Sequence, residues 1–76
     1  MPAIDRITLD PDVMGGKACI RGVRVTVGTI LGLLASGRTA DEIVAAYPYL
    51  EKADISAALA YAAWRVEEIE VALEPR

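Results

Sequence analysis

From Lys52 to Leu73 the sequence runs for 22 residues without a glycine or a proline, and most of them are good helix formers. Such a segment reads as one helix about 30 Å long. Within it Ile55, Leu59, Ala62, Val66, Ile69 and Leu73 recur at spacings of four, three, four, three and four, the period that keeps an apolar seam on one side of a helix. In a chain of 76 residues the other elements must be short, so the first half of the seam suffices to cover them. The second half, Val66 to Leu73, is expected to project beyond the domain and meet another chain.

The preceding sequence supplies two shorter helices. Thr26 is placed to cap a helix of about ten residues whose apolar positions Val27, Ile30, Leu31 and Leu34 follow the helical repeat, with Gly37 closing it. Thr39-Ala40-Asp41-Glu42 is a capping-box pattern, and Pro48 disfavours helical geometry at Tyr47, which predicts a second helix over Ala40 to Ala46 with Ile43, Val44 and Tyr47 as its apolar face. Before Thr26, Ile4 to Leu9 reads as a short strand. The turn formers Asp10-Pro11-Asp12 and Gly15-Gly16 follow, then the β-branched run from Ala18 to Val25, in which Gly22 permits a bulge or bend. A lone hairpin is marginal in water, so this arm must pack on helices or pair with a second copy. The expected fold is mainly α and single-domain: a β-hairpin-like arm over 1–25, two helices and a turn over 26–51, and a long C-terminal helix over 52–76. The order is that of a trihelical helix-turn-helix module.

Residue inventory argues against an enzyme. The chain has no histidine and one cysteine, so disulfide frameworks, the commonest metal ligand and the commonest proton shuttle are all missing. Cys19 reads as a small buried apolar residue rather than a reactive thiol. Gly15-Gly16-Lys17 lacks the first glycine and the hydroxyl of a phosphate loop and is a turn. No metal, cofactor or small-molecule substrate is expected. The start has neither a charged nor an apolar targeting region, and no apolar run approaches the roughly 20 residues of a membrane span, so a cytoplasmic protein with no membrane partner is expected. The apolar fraction of 54% and the mean hydropathy of +0.34 are high for so small a domain, which hints at a dimer.

Charge divides the chain. Residues 1–38 carry Arg6, Lys17, Arg21, Arg24 and Arg38 against three acids, a net +2, whereas residues 39–76 carry a net −5. The two halves either face different partners or are solvated surfaces with none. If the helical module reads DNA, Lys17, Arg21, Arg24, Arg38 and Lys52 are the candidates for phosphate contact, with Tyr49 or Ser56 reaching base edges. For Arg21 and Arg24 the alternative is surface or interface ion pairs. Glu51 and Asp54, at the start of the third helix, weigh against DNA because they would repel phosphates. Tyr61 and Trp64 lie one turn apart off the main seam, on a second apolar strip with Ala57 and Ala58. They are either core or, with Arg65, Val66, Ile69 and Leu73, a surface for a protein partner. Glu67, Glu68, Glu70 and Glu74 read as a solvated face.

The run Gly16-Lys17-Ala18-Cys19-Ile20-Arg21-Gly22-Val23-Arg24-Val25 follows Asp10-Pro11 and is followed by Ala35-Ser36-Gly37-Arg38-Thr39, Tyr47-Pro48 and Asp54-Ile55. As an ordered set it resembles domain-of-unknown-function family 433, from Ile7 to about Ala62. The motif of that family has proline and threonine where this chain has Ala18 and Val23, so no role here rests on a hydroxyl at position 23. The family is similar to the DNA-binding part of VapB-type antitoxins. The resemblance implies a homodimeric helix-turn-helix autorepressor that binds operator DNA and neutralises a PIN-like ribonuclease toxin. The competing reading is a protein-binding adaptor of the same fold that reads no DNA.

Overall fold

The computed structural model describes residues 5–21 and 23–68. The protein is mainly helical, with a short antiparallel hairpin in front of three helices. Strand β1 (Ile7–Thr8) pairs with β2 (Cys19–Ile20) in the register Ile7 to Ile20 and Thr8 to Cys19. Between them Asp10 closes a turn by accepting from the Asp12 amide at 2.9 Å, and a single 3-10 turn spans Met14–Gly16. Both strands are two residues long, shorter than the alternation in the sequence predicts. After β2 the chain reverses at once: the Val23 amide donates to the Ile20 carbonyl and the Ile20 amide to the Val25 carbonyl. The Val23–Val25 segment therefore turns back along β2 rather than extending it, and Cys19 forms a further antiparallel bridge to Thr26. Gly22 and Ile4 lie outside the described residues.

The helices follow the local signals closely. In α1 (Val27–Ala35) the Thr26 hydroxyl accepts from the Thr29 amide, and the helix ends at Ser36, followed by Gly37 at φ +99°, a conformation that glycine adopts without the Cβ penalty. The short helix α2 (Ala40–Ala46) carries a complete capping box between Thr39 and Glu42. The third helix, α3 (Lys52–Glu68), follows the turn Tyr47 to Glu51; its expected continuation to Leu73 lies outside the described residues. Among the described residues no helix is long and apolar enough to cross a membrane.

The core is one cluster to which both strands and all three α-helices contribute: Ile7 and Ile20 from the hairpin, Val25, Val27 and Ile30 around α1, Ile43 from α2, Leu50 from the turn, and Ile55 and Ala58 from α3. The hairpin is thus stabilised by packing on helices, with β1 against α3. The orientation of α3 corrects the expected seam. In its first half Ile55 is buried but Leu59 is 49% exposed, while Asp54 and Ala58 are fully buried and Ala57 and Tyr61 pack on the core; Val66, expected to project, is 62% exposed. The strip taken as secondary is therefore the inward one. The reason is the carboxylate of Asp54, which turns inward to meet arginines of the hairpin, while the small Ala58 on the same face accommodates close packing.

Candidate functional site

Asp54 is the third residue of α3, and its side chain is completely buried. Burying an ionised carboxylate is tolerated only when hydrogen bonds and opposite charge replace its water. Here four donor contacts do so. Oδ1 accepts from Arg6 Nη1 at 2.9 Å and from Arg21 Nε at 3.0 Å. Oδ2 accepts from Arg21 Nη2 at 2.9 Å and from the Glu51 amide at 2.8 Å. Arg21 grips the carboxylate through two nitrogens, the planar geometry that suits a guanidinium. Burial alone would push the Asp54 pKa up; the hydrogen bonds from Arg21, the Glu51 amide and Arg6 outweigh it, and the value falls from 3.8 to about 2. The hydrogen bonds to Asp54 in turn raise both arginines above their ordinary value.

The local backbone is built around this cluster. Arg21 has φ +45°, a left-handed conformation that costs a non-glycine residue roughly 1–3 kcal/mol. It is held there by its amide, which donates to the Arg6 carbonyl at 2.8 Å, and by its side chain, which reaches Asp54 and, through Nη2, the Tyr49 carbonyl at 2.8 Å. Arg6 also bonds Glu51 Oε1 at 2.9 Å. The cluster thus joins the two strands of the arm to the turn and first turn of α3.

The other candidate residues are dispersed around this centre. Lys52 is exposed and pairs with Asp41 at 2.6 Å. Tyr49 is 53% exposed, its ring edge-on to Tyr47 with centroids 6.1 Å apart. Ser56 is exposed on α3, Arg24 in the turn after β2 and Arg38 in the turn between α1 and α2; among the described residues neither arginine has a carboxylate partner. Lys17 is exposed and borders an open groove of about 590 Å³ that Thr26, Val27, Gly28, Thr29 and Tyr61 also line. Tyr61 and Trp64 are half-buried and in contact, with centroids 6.1 Å apart, whereas Arg65 and Val66 are exposed. Ile69 and Leu73 lie outside the described residues, as do Glu70 and Glu74.

Arg21, for which the sequence allows phosphate contact or an ion pair, forms an ion pair with Asp54. One expectation changes: Asp54, read as an exposed acid that repels phosphate, is sequestered. Arg6 enters the sequence reading only as one of five basic residues and not as a site candidate, because its partners stand 45 and 48 residues away.

The family described as "Protein of unknown function (DUF433)" matches residues 7–62. The chain belongs to the DUF433 family. A DUF433 member protein from Anabaena variabilis, solved by crystallography, has the same fold: its TM-score is 0.78 at 36% identity, over 87% of this chain and 65% of that one. The uncharacterized protein y4eO of Sinorhizobium fredii is 34% identical over 56 residues, which are 74% of this chain and 25% of that protein. The chain therefore spans a quarter of its curated relative and just under two thirds of the solved one. The DUF433 match encloses Arg21, Glu51 and Asp54, and stops before Trp64, Arg65 and Val66.

Proposed function

We propose that this chain is the antitoxin of a type II toxin–antitoxin pair. It binds operator DNA as a homodimer through α2, the following turn and α3, represses its own transcription, and neutralises a PIN-like ribonuclease toxin with the C-terminal part of α3. The observation that carries the DNA-binding half is the inward turn of Asp54. An acidic first turn is the main physical objection to a recognition helix, because phosphate contacts supply much of the affinity. With Asp54 buried beneath two arginines, the surface at the start of α3 consists of Lys52, Ala53 and Ser56, which are exposed, beside the exposed face of Glu51 bound to Arg6. Ser56 supplies a hydroxyl for a base edge and Ala53 a methyl for thymine. Arg24 and Arg38 supply backbone charge. The toxin half rests on the resemblance to VapB-type antitoxins, with Trp64, Arg65 and Val66 as its surface. The homodimer is supported by Leu59 and Val66, two large apolar side chains seven residues apart and both exposed.

A second reading is favoured by the acidic second half of the chain: a protein-binding adaptor of the same fold. One titration separates them. Fluorescence anisotropy is measured with a duplex from the gene's own upstream region and with a scrambled duplex, at two salt concentrations, with and without the neighbouring gene product. Tighter binding to the native duplex, weakening as salt rises, is expected of the repressor. Equal or absent binding in every arm would overturn DNA reading and leave the adaptor. For the toxin half, a chain ending at Ala63 is expected to lose toxin binding, and retained neutralisation would overturn that assignment.

A further inference from the structure

The Asp54 cluster holds two cations on one buried anion. Arg6 Nη1 and Arg21 Nε lie within 3.0 Å of the same carboxylate oxygen, so two guanidiniums are held side by side where like charges would otherwise separate. Their second counter-charge is Glu51, which is 64% exposed and reaches Arg6 through a single 2.9 Å contact. Each arginine side chain is itself 37% exposed. Arg21 uses Nε and Nη2, leaving Nη1; Arg6 uses Nη1 alone, leaving Nε and Nη2 without an acceptor among the described residues.

We propose that the outer edges of Arg6 and Arg21 form an oxyanion site for a phosphate group, positioned from beneath by buried Asp54, with exposed Glu51 as the resident carboxylate that phosphate displaces. Three features make the site suited to that ligand. Guanidinium edges match phosphate oxygens in geometry and bind them by charge-assisted hydrogen bonds. The side chains are already immobilised by Asp54 and the Tyr49 carbonyl, so little conformational freedom is left to lose on binding. The carboxylate in place is bound by an exposed ion pair, which is weak and readily exchanged, whereas the buried bonds that shape the site are not. The phosphate comes either from a nucleic-acid backbone or from a free phosphate compound. The site does not depend on base reading, so it stands or falls separately from the repressor proposal.

The test uses the full chain and inorganic phosphate at constant ionic strength, following the arginine Nε–H resonances by NMR. A saturable shift at Arg6 and Arg21 is expected. Glu51→Gln, an exposed change that leaves the backbone hydrogen bond donated to Asp54 in place, is expected to tighten phosphate binding by about threefold or more. Glu67→Gln, which changes net charge equally on an exposed site elsewhere on α3, should leave it within about twofold. Absence of a saturable shift in both the native chain and Glu51→Gln overturns the site, as does an equal gain from the two variants. A duplex of arbitrary sequence that competes with bound phosphate assigns the ligand to a nucleic-acid backbone, and failure to compete assigns it to a free phosphate compound.

Discussion

Helices α2 and α3 begin with the same local device and put it to different uses. At each start, a carboxylate three residues into the segment accepts from the backbone amide of the residue before the helix: Glu42 from Thr39 at 2.8 Å, and Asp54 from Glu51 at 2.8 Å. At α2 the box is closed by the Thr39 hydroxyl, and every member is solvent-exposed. Water solvates the charge, and the device concerns only its own turn. At α3 the carboxylate is buried, so it requires compensating charge from elsewhere in the chain, and Arg6 and Arg21 of the hairpin supply it. A helix start becomes a tertiary link once its carboxylate loses water.

That contrast is open to direct attack. The largest effect is expected from Asp54→Asn, which keeps the shape but leaves two guanidiniums facing a neutral amide. Breaking a fully buried pair costs about 3–5 kcal/mol; because both arginines are 37% exposed, water takes up part of the loss and about 2 kcal/mol is expected, still a large part of the stability of a small domain, which urea unfolding should show as a lowered midpoint. A loss under about 1 kcal/mol would mean that the hairpin does not depend on the cluster. Acid gives a smaller effect, because protonation leaves part of the hydrogen bonding in place. The Asp54 pKa is lowered in the fold from 3.8 to about 2, so its contribution is complete above the unfolded value and is lost as pH falls from about 4 toward 2. Thermal unfolding of the native chain and of Asp54→Asn should therefore differ most near neutrality, and the difference should narrow as pH falls through about 2; a constant difference would contradict the assignment. The smallest effect belongs to α2. Thr39→Ala should cost about 1 kcal/mol and add independently to the loss from Asp54→Asn, whereas strong coupling between the two would show that the starts of α2 and α3 are not separate devices.

The same contrast explains what the sequence made legible. The limits of α2 follow from Thr39, Glu42 and Pro48, and those of α1 from Thr26 and Gly37, all signals that act within a few residues. The hairpin was legible in kind, but its strands were overestimated, because the reversal after Arg21 depends on a left-handed residue anchored across the fold. Asp54 was misjudged because an acid in a first helical turn usually remains in water, and its arginines are 33 and 48 residues distant. A signal was nonetheless present: Asp54 and Ala58 share a face with Tyr61, and rotating the apolar seam of α3 by one residue selects that face in place of Leu59. Arg21 stands in the Asp54 cluster, and Arg6 carried no local pattern to mark it.

Cys19 gives the hairpin an intrinsic gauge. It is the single cysteine of the chain, is 1% exposed, and is set between Thr8 across the ladder and Thr26 across the bridge, with its thiol against the Lys17 carbonyl. An alkylating reagent reaches that buried sulfur through an opened form of the arm, so the rate of modification reports how much of that form is populated when reclosing is fast. The native chain thereby reports the opening of its arm without a label.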